Sequence, residues 1–169
     1  GSTAKDLGFA WYSKTKGTPA VMVWKDGSKA GAQIVKGTAT DISATNWQQE
    51  AYAASNKVSI NGFFEPNTKY VYQYTDNYSD NSDTVWSDEY TYTTHATDTF
   101  SVILTGDPQI GASGSKSDKE ANDMSVAQDA YNWNKTMQKA MEIDPDASFL
   151  LSAGDQINES NAGSEETKK

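Results

Sequence analysis

The chain has 169 residues, with 14 lysines, no arginine, 23 acidic residues and one histidine, for a net charge of −9. One or two domains fit that length, and 36% hydrophobic with 11% aromatic residues speaks against a fully disordered chain. The acidity and the missing guanidinium groups speak against nucleic-acid binding, no apolar run approaches a membrane span of roughly 18 residues, and zero cysteines exclude disulfides and thiol-ligated metals.

The N-terminal Gly1-Ser2-Thr3 lacks the charged and apolar segments of a signal peptide and resembles a cloning scar. Sequons stand at Asn77, Asn134 and Asn158, triplets that also arise easily by chance. A secreted or cell-surface protein is the expectation.

Residues 1–96 read as β structure. Strands are predicted over Phe9–Tyr12, Ala20–Trp24, Lys57–Ile60, Tyr70–Tyr74 and Glu89–Thr94, all rich in aromatic and β-branched residues. Turn residues separate them at Lys25–Ser28, Asn61-Gly62, Glu65–Thr68 and Asn77–Asp83. Short strands and turns in under 100 residues predict a small antiparallel β sandwich. Its tryptophans Trp11, Trp24, Trp47 and Trp86 are expected in the core rather than on a sugar-stacking face. The acids Asp76, Asp80, Asp83, Asp88 and Glu89 lack EF-hand spacing and read as a solvated hairpin tip.

After Ala96-Thr97-Asp98 the pattern changes. Phe100–Thr105 is an apolar strand running into Gly106-Asp107-Pro108-Gln109, and Gly111–Asp118 reads as a loop. Met124, Ala127, Ala130, Tyr131, Trp133, Met137, Ala140 and Met141 then recur at helical steps. Met124, Trp133, Met137 and Met141 are expected on the face that packs against the sheet. Asp144-Pro145-Asp146 ends this helix, and Ala147–Ala153 is a second apolar strand, followed by Gly154-Asp155-Gln156-Ile157-Asn158. Strand, helix, strand predicts a parallel βαβ unit, a partial α/β segment spanning residues 99–169. Its final stretch, Glu159–Lys169, is polar and reads as unstructured. Two parallel strands leave open edges, which invite association between chains.

Both parallel strands end in Gly-Asp, at Gly106-Asp107 and Gly154-Asp155. Ligands of open α/β sheets bind at the carboxyl ends of strands. If the strands are neighbours, about 4.8 Å apart, both carboxylates enter one small volume. Their repulsion is relieved by a cation, or by two sharing a bridging carboxylate. Oxygen and imidazole donors would suit Mn, Fe, Zn, Mg or Ca. Asp and Gly are also common turn residues after strands, so plain turns are the alternative reading.

Phe100–Gln109, the helix carrying Trp133 and Pro145–Asn158 resemble the opening of a calcineurin-like metallophosphoesterase domain. The first half resembles the fibronectin-III-like N-terminal domain of purple acid phosphatases. Its resembling residues are Phe9–Tyr12, Val21–Trp24, Pro66–Tyr72, and Trp86-Ser87 leading to Tyr90–Thr94. The resemblance implies a two-metal hydrolase of phosphate esters, with Fe, Zn, Mn or similar ions. In that family the first Asp binds one metal and the second bridges both, roles that fall on Asp107 and Asp155. The position of a frequent family histidine holds Gln109, and that of the iron-binding tyrosine holds Asn158. Gln109 and Asn158 are therefore candidates for weak metal binding or for orienting water, and a purple ferric site is not expected. The family's later His-containing blocks do not occur in these residues, and His95, in Thr-Thr-His-Ala, reads as an ordinary strand-end residue. No catalytic acid or base is assigned, and the isolated chain is expected to be inactive. The rival expectation is a non-catalytic extracellular sandwich module with the Gly-Asp loops as turns.

Charge divides unevenly between the halves. Residues 1–98 hold 11 acids and 8 lysines, net −3, and residues 99–169 hold 12 acids and 6 lysines, net −6.

Overall fold

The computed structural model describes residues 5–42, 52–81, 83–114 and 119–158, and the side chains of all of these except 119–122. Trp47, the N-terminal Gly1-Ser2-Thr3 and the polar stretch 159–169 lie outside the described residues. The chain divides into two units, Gly1–Asp98 and Thr99–Lys169.

The strands of the first unit are β1 (Leu7–Ser13), β2 (Ala20–Lys25), β3 (Gln33–Lys36), β4 (Thr38–Asp41), β5 (Ala54–Ile60), β6 (Lys69–Thr75) and β7 (Tyr90–Thr93). They form two antiparallel sheets, in the orders β1-β5-β4 and β3-β2-β6-β7. Period-two patterning decides which side chains meet. In β1, Leu7, Phe9 and Trp11 are half-buried while Gly8, Ala10 and Tyr12 are exposed. Their partners across the ladder are Ile60, Val58 and Asn56, all buried.

The second sheet supplies Val21, Val23 and Tyr70 to the same core. Burying each such aliphatic side chain contributes about 1.5–3 kcal/mol. The sheets are joined by aromatic pairs, Phe9 with Tyr72 at 5.0 Å and Trp11 with Tyr74 at 5.2 Å. Trp11 Nε1 also donates to Asp76 Oδ1 at 2.7 Å. The two sheets thus form a β sandwich.

Two local devices fix its corners. Tyr70, at the start of β6, accepts the Glu65 N–H through its hydroxyl, the tyrosine corner of immunoglobulin-type sandwiches. Gly37 alone separates β3 from β4, which lie in different sheets. A Cβ there would overlap the Lys57 carbonyl oxygen, so only glycine lets the chain cross at this point. Composition predicts no strand over residues 33–41, and both β3 and β4 are additions by the structure.

The tryptophans divide between core and rim. Trp24 is buried, with Lys29 Nζ 4.5 Å from its ring centre, while Trp11 and Trp86 are half-buried. The expected solvated tip is partly tied down. Asp80 pairs with Lys36 at 3.1 Å, Glu89 with Lys29 at 2.7 Å, and Asp76 holds Trp11.

The second unit contains β8 (Val102–Thr105), α1 (Lys119–Ile143) and β9 (Phe149–Ser152). β8 and β9 pair in parallel, from Val102 opposite Phe149 to Thr105 opposite Ser152. Along α1 the half-buried line runs Val126, Asp129, Trp133, Met137 and Ala140, at steps of three and four. Met124 and Met141 are exposed and do not belong to the packed face on which they were expected. No helix among the described residues is long and apolar enough to cross a membrane.

Candidate functional site

The β8–β9 ladder extends one step past its strands, where the Ala153 N–H donates to Thr105 O at 3.0 Å. The chains then part around Gly106-Asp107-Pro108 and Gly154-Asp155, and Pro108 has no N–H to continue the pairing. They rejoin at once. The Gln109 N–H donates to Asp155 O and the Ile110 N–H to Gln156 O, both at 3.2 Å, and the Asn158 N–H donates to Ile110 O at 3.0 Å. Ile110 and Ile157 form a parallel bridge. Both Gly-Asp turns are therefore clamped below and above by backbone bonds.

The two glycines are not equivalent. Gly154 has φ +126, and a Cβ on it would lie 2.8 Å from Asp107 Cβ, so its bareness makes room for the Asp107 side chain. A Cβ on Gly106 meets nothing within 4 Å. The close-approach argument holds at the second motif and fails at the first.

Gln109 sits between the carboxylates. Its Nε2 donates to Asp107 Oδ2 at 2.9 Å and to Asp155 Oδ2 at 3.3 Å. One amide carries two N–H groups, so it can serve both acceptors at once. The backbone of Gln109 has φ +47, uncommon for a residue with a side chain. Both aspartates are exposed and Gln109 is half-buried. The hydrogen bond from Gln109, followed by that from its own backbone N–H, lowers the Asp107 pKa below the ordinary carboxylate value, with burial opposing weakly.

The structure thus brings together Asp107, Gln109 and Asp155 of the residues expected from sequence. Asn158 is tied to the same strand pair through its backbone N–H. His95 belongs to the first unit, its ring edge-on to Tyr92 at 6.5 Å. One supporting residue escapes sequence reasoning. Asp129, on α1, accepts the Gly111 N–H at 2.9 Å and the Ser113 hydroxyl at 2.8 Å, securing the loop that leaves the site. Its inward position in the helical repeat is the only sequence signal, since its partners are mostly backbone groups of that loop.

The donor chemistry fits a hard cation in part. Two carboxylates share the two N–H bonds of a neutral amide, which bridges them without neutralising their charge. Among the described residues, no group of three or more His, Cys, Asp or Glu side chains is placed to hold a metal ion. Asp107 and Asp155 are thus a pair of neighbouring carboxylates joined through one amide, with no third such side chain grouped with them among the described residues.

No known family model and no curated relative matches the sequence. Among solved structures, the chain is similar to the purple acid phosphatase PPD1 isolated from yellow lupin (Lupinus luteus) seeds. The TM-score is 0.50 with 16% sequence identity, over 64% of this chain and 21% of that one. At that identity the likeness concerns fold, and this chain spans about a fifth of the other's length.

Proposed function

We propose that the chain is the N-terminal portion of a metal-dependent hydrolase of phosphate esters. In this reading residues 1–96 are a fibronectin-III-like domain of the purple acid phosphatase kind, and residues 99–169 open a calcineurin-like metallophosphoesterase domain. The observation that carries it is the pair Asp107 and Asp155, at the carboxyl ends of two adjacent parallel strands and both bonded to one Gln109 nitrogen. The fold likeness to a purple acid phosphatase supports it.

Asp107 would hold one ion and Asp155 would bridge to a second, Fe, Zn, Mn or a similar metal. Bound ions supply charge neutralisation at the phosphoryl oxygens and a water acidic enough to attack at neutral pH. The chain's own part is positional. The clamped turns hold the two carboxylates, the second unit's net charge of −6 concentrates cations near them, and Gln109 and Asn158 would be the candidates for orienting water. A phosphate ester is itself anionic, so it is repelled by this acidic surface until cations are bound.

A second reading is favoured by one observation. The Gln109 amide already satisfies an oxygen of each carboxylate, as a purely structural clasp would, and the sandwich would then be a non-catalytic extracellular module. Calorimetry with Mn²⁺ or Zn²⁺ separates the two. Binding that is lost in Asp155→Ala supports the hydrolase reading, whereas no binding at millimolar metal supports the module. The chain alone is expected to show negligible turnover of an aryl phosphate, because among the described residues no group of three or more His, Cys, Asp or Glu side chains is placed to hold an ion.

A further inference from the structure

We propose that Asn61-Gly62 is a site of covalent self-modification, and that the Asp6 carboxylate slows its reaction. This is the one Asn-Gly pair in the sequence. Asn61 is exposed, Gly62 has φ +71, and a Cβ on Gly62 would meet nothing within 4 Å. No side chain therefore screens the main-chain nitrogen that follows the Asn61 amide.

The chemistry is intramolecular. The Gly62 nitrogen loses its proton to base in solution and attacks Asn61 Cγ. The N–Cγ bond forms, the Cγ–Nδ2 bond breaks, and Nδ2 takes up a proton and leaves as ammonia. Water then opens the cyclic imide at either carbonyl, giving aspartate or isoaspartate.

The fold opposes the first step. The Gly62 N–H donates to Asp6 Oδ1 at 2.8 Å. Strand register brings the two together: the β1–β5 ladder ends at Leu7 opposite Ile60, with Asp6 just before β1 and Asn61 just after β5. Removing the proton would leave a nitrogen anion facing a carboxylate oxygen, so Asp6 keeps the nucleophile protonated. The next two N–H groups, of Phe63 and Phe64, both donate to Lys5 O, at 3.1 and 3.3 Å. Phe64 is part of the buried core. Isoaspartate lengthens the main chain by a carbon between β5 and this anchor. Modification thus mis-spaces the turn and loosens the Phe64 end of the core.

The test incubates the full chain in warm, mildly alkaline buffer and follows every asparagine by peptide mapping that resolves aspartate from isoaspartate. Asn61 is expected to be modified first. Asp6→Ala should speed the reaction about three- to tenfold, the worth of one ordinary hydrogen bond. Asp6→Asn, which keeps an oxygen acceptor without the charge, should fall between the two. A wild-type rate in a folded Asp6→Ala chain overturns the restraint, and earlier modification of another asparagine overturns the site.

A second measurement needs no variant. In urea the Asp6 contact is lost, so Asn61 of the wild-type chain should react faster unfolded than folded. Equal rates would also overturn the restraint.

Discussion

The hydroxyl of Tyr70 accepts the N–H of Glu65 at 2.8 Å, tying the start of β6 to the loop before it. Tyr70 is 2% exposed while Glu65 lies at the surface, so the bond ties an exposed loop to a buried ring. Tyr70→Phe keeps the ring against Phe63 and Phe64 and removes only this bond. The expected loss is about 0.5–1.5 kcal/mol of sandwich stability, the net contribution of an ordinary intramolecular hydrogen bond. Urea unfolding followed by tryptophan fluorescence measures it, and an unchanged midpoint would show that the corner is decorative.

Alanine at the two site glycines should give opposite outcomes. Gly154→Ala places a Cβ 2.8 Å from Asp107 Cβ at φ +126, costing roughly 1–3 kcal/mol in backbone strain and displacing the carboxylate. Gly106→Ala meets nothing within 4 Å and is expected to be near neutral. Thermal unfolding and amide chemical shifts of residues 102–110 and 149–157 compare the two.

Acidification should open the Gln109 contact late. The folded carboxyl of Asp107 has its pKa held below the ordinary value of 3.8, first by Gln109 and then by its own N–H. A depressed pKa gives stabilisation that is full above the unfolded value and is lost as pH falls through the folded one. The Gln109 NH₂ signals should thus titrate with a midpoint below 3.8. A midpoint at or above that value would contradict the hydrogen bond.

At the alkaline end the sandwich is the responsive part. Burial first, and the neighbouring Tyr90 second, raise the pKa of Tyr72 and of Tyr74 above 10.0. Neutral phenols are favoured in the fold, so their stabilisation is complete below the unfolded pKa and disappears as pH rises through the folded one. Spectrophotometric titration should show a late-ionising tyrosine fraction, and Tyr90→Phe should bring it earlier.

Leu104, Phe149 and Leu151 share one face of the β8–β9 pair by register and alternation, and all three are at least half exposed. Phe100 extends this surface, its ring stacked on Phe149 at 6.0 Å. Apolar strands with unpaired neighbours promote association. Light scattering should show mass rising with concentration, and Leu104→Lys with Leu151→Lys should suppress the rise. A concentration-independent monomer in the wild type would contradict it.

Legibility from sequence followed how local the causes were. The alternation of β1 and the aromatic run of β6 are visible because each strand carries its own buried face. β3 and β4 are not, since Thr38-Ala39-Thr40-Asp41 has no apolar alternation and the Gly37 crossing matters only once Lys57 lies beside it. Asp107 and Asp155 could be paired in advance because they end matching apolar strands. The placement of Gln109 could not, because glutamine gives no sign of a left-handed backbone. Along α1, Met124 and Met141 have the composition of a packed face, yet the half-buried line includes Asp129, whose acceptance of loop donors no spacing rule records.

The bonds that flank the carboxylates give the site a thermodynamic character of its own. Ala153 to Thr105 on one side, and Gln109 to Asp155 with Ile110 to Gln156 on the other, are rungs of a single interrupted ladder. Separating Asp107 from Asp155 by way of the backbone therefore means unzipping that ladder, and local opening of the site coincides with cooperative opening of the strand pair. In hydrogen exchange, the amides of Gln109, Ile110 and Ala153 should share one protection factor and lose it together. Ligand geometry here is inherited from strand register, so a one-residue slip of β9 would dismantle the site without altering any of its residues.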